Sequence, residues 1–171
     1  MHHGIYEQQV VSARDKMFRF ALRLLKNTED ARDVVQDALV RIWDQREKLE
    51  GVENPEAWCM QVTKNLCLDR FKAGKRRSAA AQNIQPGESS IDPTPYEQVE
   101  RKDRMERIRK MIDALPDKFR MIIHLRDVEG FSYKEISVIM ELSMDEVKVN
   151  LFRARKALKD NLTKNKVYGI S

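Results

Sequence analysis

The side chains best suited to specific chemistry lie between residues 132 and 156, where hydroxyl, carboxylate and basic groups recur at helical spacing. Ser132 precedes Glu135 by three positions, and Ser143 precedes Glu146 by three positions. This S-x-x-E spacing is typical of a capping box, in which a side-chain hydroxyl and a carboxylate satisfy backbone N–H groups at the start of a helix. The segment therefore predicts a helix, a tight turn and a second helix.

The second of these helices combines an apolar stripe with a basic opposite face. Val147, Leu151 and Ala154 recur at the spacing of a buried stripe. Cations on the other face suit phosphates, and its apolar groups suit base edges. We interpret it as a DNA-recognition helix, and the alternative is a helical hairpin whose cations are only solvated. The opposite face carries Lys148, Val149, Phe152, Arg153 and Lys156.

A second basic segment extends over residues 64–77, which contain six cations and one anion. The amides of Asn65 and Gln61 could read bases, and the rings of Trp58 and Phe71 could stack on unpaired bases. A solvated helix end is the alternative interpretation. Two basic surfaces on one chain predict bipartite contact with a single nucleic acid.

The elements that position these groups are expected to be helices, because no segment shows the alternation of a strand. A wide apolar stripe from Ala31 to Trp43 predicts one amphipathic helix, with Thr28 as its N-cap. Asn54 followed by Pro55 predicts the start of another. We predict an all-α fold of two small helical domains, the C-terminal one with a helix-turn-helix, joined by a flexible linker rich in Ser and Pro. The expected divisions are residues 1–77, the linker 78–95, and residues 96–171.

Composition limits the class of protein. The 171 residues are 35% charged with a net charge of +5, which fits a polyanionic partner. No apolar run approaches the roughly 18 residues of a membrane span, and no signal peptide is visible, so we expect a cytoplasmic protein without membrane insertion. Cys59 and Cys67 have the spacing of neither a redox pair nor a zinc site, and we interpret both as core residues. No metal, cofactor or catalytic residue is expected, and the acidic residues lack the clustering of a nuclease site.

Three blocks of the sequence resemble an extracytoplasmic-function, or group four, sigma factor of bacterial RNA polymerase, in the sigma-70 family. DARDVVQDALVRIWD at 30–44 is similar to the core of region two. NPEAWCMQVTKNLCLDRFK at 54–72 looks like the segment that melts and reads the minus-10 element. The stretch at 115–158, which contains both capping boxes, resembles region four, the reader of the minus-35 element.

The resemblance implies a transcription initiation factor that brings core RNA polymerase to promoters and is not itself an enzyme. The implied partners are the clamp of the largest polymerase subunit, the flap of the second-largest subunit, promoter DNA and an anti-sigma factor. A stand-alone helix-turn-helix regulator that binds operator DNA by itself is the alternative function. The residues implied to bind core polymerase are Asp33, Gln36, Asp37, Arg41 and Trp43, although Trp43 could instead belong to the core.

The same resemblance implies two sets of DNA-binding residues. Val149 and Asn150 stand where many relatives have Ser and Arg, so the minus-35 preference cannot be copied from them. The minus-10 set is Lys64, Asn65, Arg70 and Lys72, and the minus-35 set is Arg126, Lys148, Val149, Phe152 and Arg153.

Overall fold

The computed structural model describes residues 3–80 and 96–167, and the regular elements in these ranges are helical. The expected all-α fold is confirmed. Helix α3 continues through Ala80, so the first three residues of the expected linker are helical, and its remainder lies outside the described residues. The helices are α1 (His3–Leu25), α2 (Thr28–Asp44), α3 (Pro55–Ala80), α4 (Tyr96–Asp113), α5 (Asp117–Ile123), α6 (Tyr133–Met140) and α7 (Met144–Val167), with a 3-10 helix at Arg46–Gly51 and a π-helical segment at His124–Val128.

The N-terminal half is a three-helix unit in which α1 packs against both α2 and α3. Its core is made by apolar side chains that recur on one face of each helix, including the fully buried Phe20 and Met60. The N-cap of α2 lies one residue before the position predicted from the sequence. Asn27, not Thr28, is the N-cap, because its extended backbone lets its side chain accept from the Asp30 N–H and leaves Thr28 as the first helical residue.

The predicted start of α3 is confirmed. Asn54 Oδ1 accepts from the Ala57 N–H at 3.0 Å, which satisfies a donor of the first helical turn. Pro55 follows as the first helical residue, where its missing N–H has no consequence. The side chain of Asn54 is therefore fixed in place at the edge of the N-terminal half.

The C-terminal half contains the predicted helix-turn-helix. The Ser132 hydroxyl accepts from the Glu135 N–H at 3.1 Å while the Glu135 carboxylate accepts from the Ser132 N–H at 2.7 Å. Ser143 and Glu146 form the same reciprocal pair at the start of α7. Helix α6 ends at Glu141, whose left-handed backbone (φ 56°, ψ 46°) turns the chain toward α7.

The two halves pack against each other, mainly through α3 on α6 and also through α1 on α5. The ring of Phe20 lies 5.8 Å from the ring of His124, and Lys16 Nζ lies 5.1 Å above the ring of Phe131. The sequence left open whether the halves are compact or extended. Packing them together enlarges two cores that are each small for an independent domain.

Within the two described ranges, no helix is long and apolar enough to cross a membrane. Cys59 and Cys67 are both buried in α3, as predicted. Burial raises the pKa of each thiol to about 12, so both stay protonated. They behave as small apolar residues of the core.

Candidate nucleic-acid interface

Helix α7 presents its expected DNA-binding side chains outward. Val147 and Ala154 on its inner stripe are completely buried. On the opposite face Phe152 is 70% exposed and Val149 is 45% exposed. Lys148 and Arg153 are exposed on the same face. The outer face of α7 thus combines apolar and cationic groups, as the sequence predicts.

Asn150 is not part of that outer face. Its side chain is 9% exposed, and its Nδ2 donates to the Glu146 carbonyl at 2.7 Å. This bond to the preceding turn holds the amide against its own helix. Of Val149 and Asn150, only Val149 faces outward.

Two arginines of the C-terminal half are held by neighbouring groups. Arg126 Nη1 donates to the Phe131 carbonyl at 2.9 Å, and its guanidinium lies 4.8 Å from the centre of the Tyr133 ring. Arg155 Nη2 donates to Asp127 Oδ1 at 2.6 Å, a bond that raises the pKa of Arg155. Arg126, one of the expected minus-35 residues, therefore also supports the turn before α6.

Lys64 of the expected minus-10 set is covered by the other half of the protein. Its side chain is 4% exposed, and its Nζ lies 2.9 Å from Glu141 Oε2. The hydrogen bond from Lys64 lowers the pKa of the Glu141 carboxyl, which therefore stays ionised at neutral pH. Asn65 is half-buried and Lys72 is exposed. All four residues of the expected set lie on α3, but Lys64 faces α6 and Arg70 faces α2, so they do not form one surface. Lys64 is inaccessible to a phosphate.

Arg70 links the expected minus-10 set to the expected polymerase-binding set. Its Nη1 donates to Asp30 Oδ1 at 3.2 Å. Its Nη2 lies 3.9 Å from both Asp33 Oδ2 and Asp37 Oδ2. Three carboxylates along one side of α2 therefore share a single guanidinium from α3.

The remaining residues of the expected polymerase-binding set lie on the outer side of α2. Gln36 and Arg41 are exposed. Trp43 is 48% exposed, so it lies outside the core, and the Arg46 guanidinium lies 4.5 Å from the centre of its ring. Arg46 Nη1 also donates to the Trp43 carbonyl at 3.0 Å. The end of α2 presents an aromatic surface bordered by charge.

The polar contacts between the two halves were not foreseen from the sequence. Asn54 Nδ2 donates to Glu135 Oε1 at 2.9 Å, so the cap of α3 is bound to the cap of α6. The Arg19 guanidinium donates to both carboxylate oxygens of Glu129, at 2.7 and 2.9 Å. The partners are 81 and 110 residues apart, and no local pattern signals such pairs.

His124 is buried at this junction, with its Nε2 3.3 Å from Glu129 Oε1 and neither ring nitrogen in a well-formed hydrogen bond. Burial lowers its pKa to about 4, despite the opposing attraction of the Glu129 carboxylate. Burial also acts to raise the pKa of Glu129, but the bonds from Arg19 outweigh it and the pKa is lowered. The junction therefore holds a neutral imidazole beside an ionised pair.

No group of three His, Cys, Asp or Glu side chains within residues 3–80 and 96–167 is placed to hold a metal ion. The described surfaces offer groups that suit a nucleic acid: cations for phosphates, and an amide and apolar groups for bases.

Comparison with protein families gives two matches in chain order. The family model "Sigma-70 region 2" matches residues 10–77, and "Sigma-70, region 4" matches residues 105–158. The first match covers α1 to α3, and the second covers the helix-turn-helix. A regulator consisting of a helix-turn-helix with an unrelated N-terminal half is not favoured by this pair.

Two characterised relatives span most of the chain. The ECF RNA polymerase sigma factor SigE of Mycolicibacterium smegmatis is 30% identical over 167 residues, which is 94% of this chain and 62% of the relative. The ECF RNA polymerase sigma factor SigW of Bacillus subtilis is 25% identical over 157 residues, covering 87% of this chain and 84% of the relative. This chain thus spans less than two thirds of the mycobacterial protein's length.

A solved structure shares the fold. The sigma factor RpoE of Bartonella quintana, in complex with the anti-sigma factor NepR, superposes with a TM-score of 0.75 at 23% sequence identity. The match covers 92% of this chain and 96% of that one.

Proposed function

Since the chain belongs to the sigma-70 family, as an extracytoplasmic-function sigma factor, we propose that it binds core RNA polymerase and directs it to promoters by reading minus-10 and minus-35 elements. It supplies sequence recognition, while catalysis belongs to the polymerase. In this role it acts in the cytoplasm as a binding subunit and not as an enzyme.

One observation carries the proposal: a helix-turn-helix with an exposed basic recognition face lies within the region 4 match, and a region 2 unit precedes it. Lys148 and Arg153 on α7 are exposed cations. In a helix-turn-helix the second helix enters the major groove, where such side chains reach phosphates and guanine edges. Each well-placed bidentate contact to a base discriminates by about 1–3 kcal/mol.

The outer side of α2 is the proposed polymerase-docking surface. Asp33, Gln36 and Asp37 are exposed there, and the half-exposed Trp43 ring lies at the end of the helix. Arg70 neutralises part of the acidic row but leaves more than half of the Asp33 and Asp37 side chains accessible. An acidic and aromatic surface of this kind fits a basic partner, and we assign it to the clamp of the largest polymerase subunit. Region 4 would contact the flap of the second-largest subunit.

Reading of the minus-10 element requires the halves to separate. Lys64 binds Glu141 in the compact arrangement, and a phosphate cannot displace that carboxylate while α6 covers α3. In the proposed mechanism, docking on polymerase draws the C-terminal half away, which frees Lys64 and Asn65 for the melted strand. Lys72 is already exposed and can bind the backbone in either arrangement.

An anti-sigma factor is the proposed inhibitory partner. The Bartonella relative was solved with such a protein, and its chain has the same overall fold as this one. A partner that stabilises the compact arrangement would keep Lys64 covered and deny polymerase access.

Run-off transcription with purified core polymerase tests the proposal. Upstream regions of the source genome serve as templates, and reactions contain or omit the full-length protein. Specific transcripts that depend on the protein are expected, and their start sites define both promoter elements. Asp37→Lys is expected to reduce binding to core polymerase, with Asp69→Lys on the exposed surface of α3 as the matched charge control.

If core polymerase neither binds the protein nor initiates from any template, the proposal is wrong. Tight binding of a specific duplex by the protein alone would then identify a stand-alone regulator.

A further inference from the structure

Val149 and Phe152 form an apolar pair on the outer face of α7, and the exposed Lys156 lies one turn further along the same face. Val149 and Phe152 are three positions apart, so at 3.6 residues per turn they lie side by side on the helix surface. Both are exposed, Val149 by 45% and Phe152 by 70%, and no helix within residues 3–80 and 96–167 covers them. Cations border the pair, with Lys148 on one side and Arg153 on the other.

The groove beside Phe152 strengthens this arrangement. It is open to solvent and combines apolar walls with a row of basic side chains, and such cations suit the phosphates of a duplex. Its lining residues are Tyr133, Lys148, Leu151, Phe152, Arg155, Lys156 and Lys159.

The flanking charges determine which part of a duplex meets the apolar pair. When cations on both sides of a helix bind phosphates of the two strands, the middle of that face points to the floor of the major groove. The one group on that floor that an apolar side chain can recognise is the C5-methyl of thymine. Asn150 adds no competing hydrogen bonds, because its amide is bound to the Glu146 carbonyl.

We propose that Val149 and Phe152 read adjacent thymine C5-methyl groups in the minus-35 element, so that this protein selects promoters through apolar contact from the outer face of α7. This inference rests on the proposed function, since it assigns a base class to the same DNA-binding face.

The test uses the holoenzyme, formed from core polymerase and the full chain. Promoter duplexes randomised upstream of the start site are selected by binding, and thymine is expected at adjacent steps of the minus-35 element. Each selected thymidine is then replaced by deoxyuridine, which removes only the methyl group. The dissociation constant at fixed salt is expected to rise roughly fourfold per methyl, the equivalent of one buried methyl group.

Two variants separate methyl reading from a general loss of affinity. Val149→Ser is expected to make the protein insensitive to deoxyuridine at one thymine position, and Phe152→Ser at the neighbouring one. Val138→Ser is the matched control, because Val138 is 46% exposed on α6 and lies outside the recognition face. It is expected to keep full sensitivity. Circular dichroism establishes that each variant is folded.

The outcomes are distinguishable. Selected elements without thymine, or equal affinity for thymidine and deoxyuridine duplexes, overturn the inference while promoter selection by the holoenzyme upholds the proposed function. Sensitivity that survives in both Val149→Ser and Phe152→Ser also overturns it. A protein that confers no selection on polymerase overturns the proposed function itself.

Discussion

Lys64 Nζ lies 2.9 Å from Glu141 Oε2, so the cation expected to hold the minus-10 backbone is bound to the C-cap residue of α6, the first helix of the helix-turn-helix. The two residues are 77 positions apart and belong to different halves of the protein. In the proposed function, a DNA phosphate would replace this carboxylate beside Lys64. We therefore propose that this contact couples DNA binding at α3 to the arrangement of the halves.

Glu141→Gln is expected to favour the open arrangement. The change removes the charge that Lys64 faces and keeps the β-carbon, so the left-handed backbone at this position is unaltered. Glu141 is 56% exposed, so solvent partly screens its ion pair with Lys64. Loss of this pair is expected to destabilise the closed arrangement by about 1 kcal/mol, which raises the ratio of open to closed protein roughly fivefold. Binding of a fluorescent minus-10 single strand by the free protein, together with the radius of gyration in solution, measures the effect.

Glu53→Gln is the matched control for that experiment. Glu53 pairs with Lys134 across the same junction, but the two side chains are 84% and 73% exposed. Water and salt screen such a pair, so little change is expected. Equal behaviour of Glu141→Gln and Glu53→Gln would show that the Lys64 contact does not control opening.

Asn54→Asp is expected to loosen the junction without loss of helix. An aspartate oxygen can still cap α3 by accepting from the Ala57 N–H. The amide that donates to Glu135 is replaced by a carboxylate oxygen, so two negative charges then face each other. Asn54→Ala loses the cap as well, at a cost of about 1 kcal/mol in the free energy of unfolding. Helix content by circular dichroism and the radius of gyration distinguish the two effects. An Asn54→Asp protein as compact as the wild type would contradict this role for Asn54.

Stability is expected to fall as the pH is lowered from 7 to 5. Because the folded-state pKa of His124 is about 4, below its unfolded value, the unfolded chain binds a proton that the folded protein excludes. The contribution of His124 to the free energy of unfolding is complete above its unfolded-state pKa and decreases as the pH falls toward 4. The free energy of unfolding is expected to decrease on the order of 2 kcal/mol over this interval. Urea unfolding at each pH provides the measurement.

His124→Leu is expected to flatten that pH dependence. Leucine fills much of the same buried volume and carries no titrating group, and neither imidazole nitrogen has a well-formed hydrogen bond to lose. The other histidines, His2 and His3, lie at the N-terminus. A variant that retains the full slope would assign the pH dependence to another group.

The two cysteines are expected to be unreactive in the folded protein. Burial raises the pKa of both thiols to about 12, so neither forms the thiolate that attacks a disulfide reagent. Titration with an aromatic disulfide at pH 8 is expected to detect no fast-reacting thiol in native protein and two in urea. Rapid reaction of native Cys59 or Cys67 would instead indicate a redox function.

The sequence predicts the parts of this structure that depend on near neighbours. Both capping boxes join residues three positions apart, and both are confirmed with the predicted partners. The N-cap of α2 was assigned one residue too late because Asn27 and Thr28 are adjacent and both favour that position. Local preferences locate a helix start but do not separate two good caps.

Contacts between distant residues could not be predicted in the same way. Lys64 looks like a solvated cation in the sequence, and only the packing of α6 on α3 buries it. Trp43 continues an apolar stripe too wide for the core to accept, and it lies at the outer edge of α2. Both outcomes depend on how the helices pack, which no single helix encodes.

In the closed arrangement the outer face of α7 is exposed while Lys64 is covered. The two proposed DNA-binding surfaces therefore differ in their access to DNA before polymerase is bound. Replication and repair expose long stretches of single-stranded DNA, which would sequester any protein with an accessible site for single strands. A protein whose Lys64 is covered could still bind duplex DNA through α7 without being sequestered on single-stranded DNA. In the proposed function, covering Lys64 would keep the free protein available to polymerase.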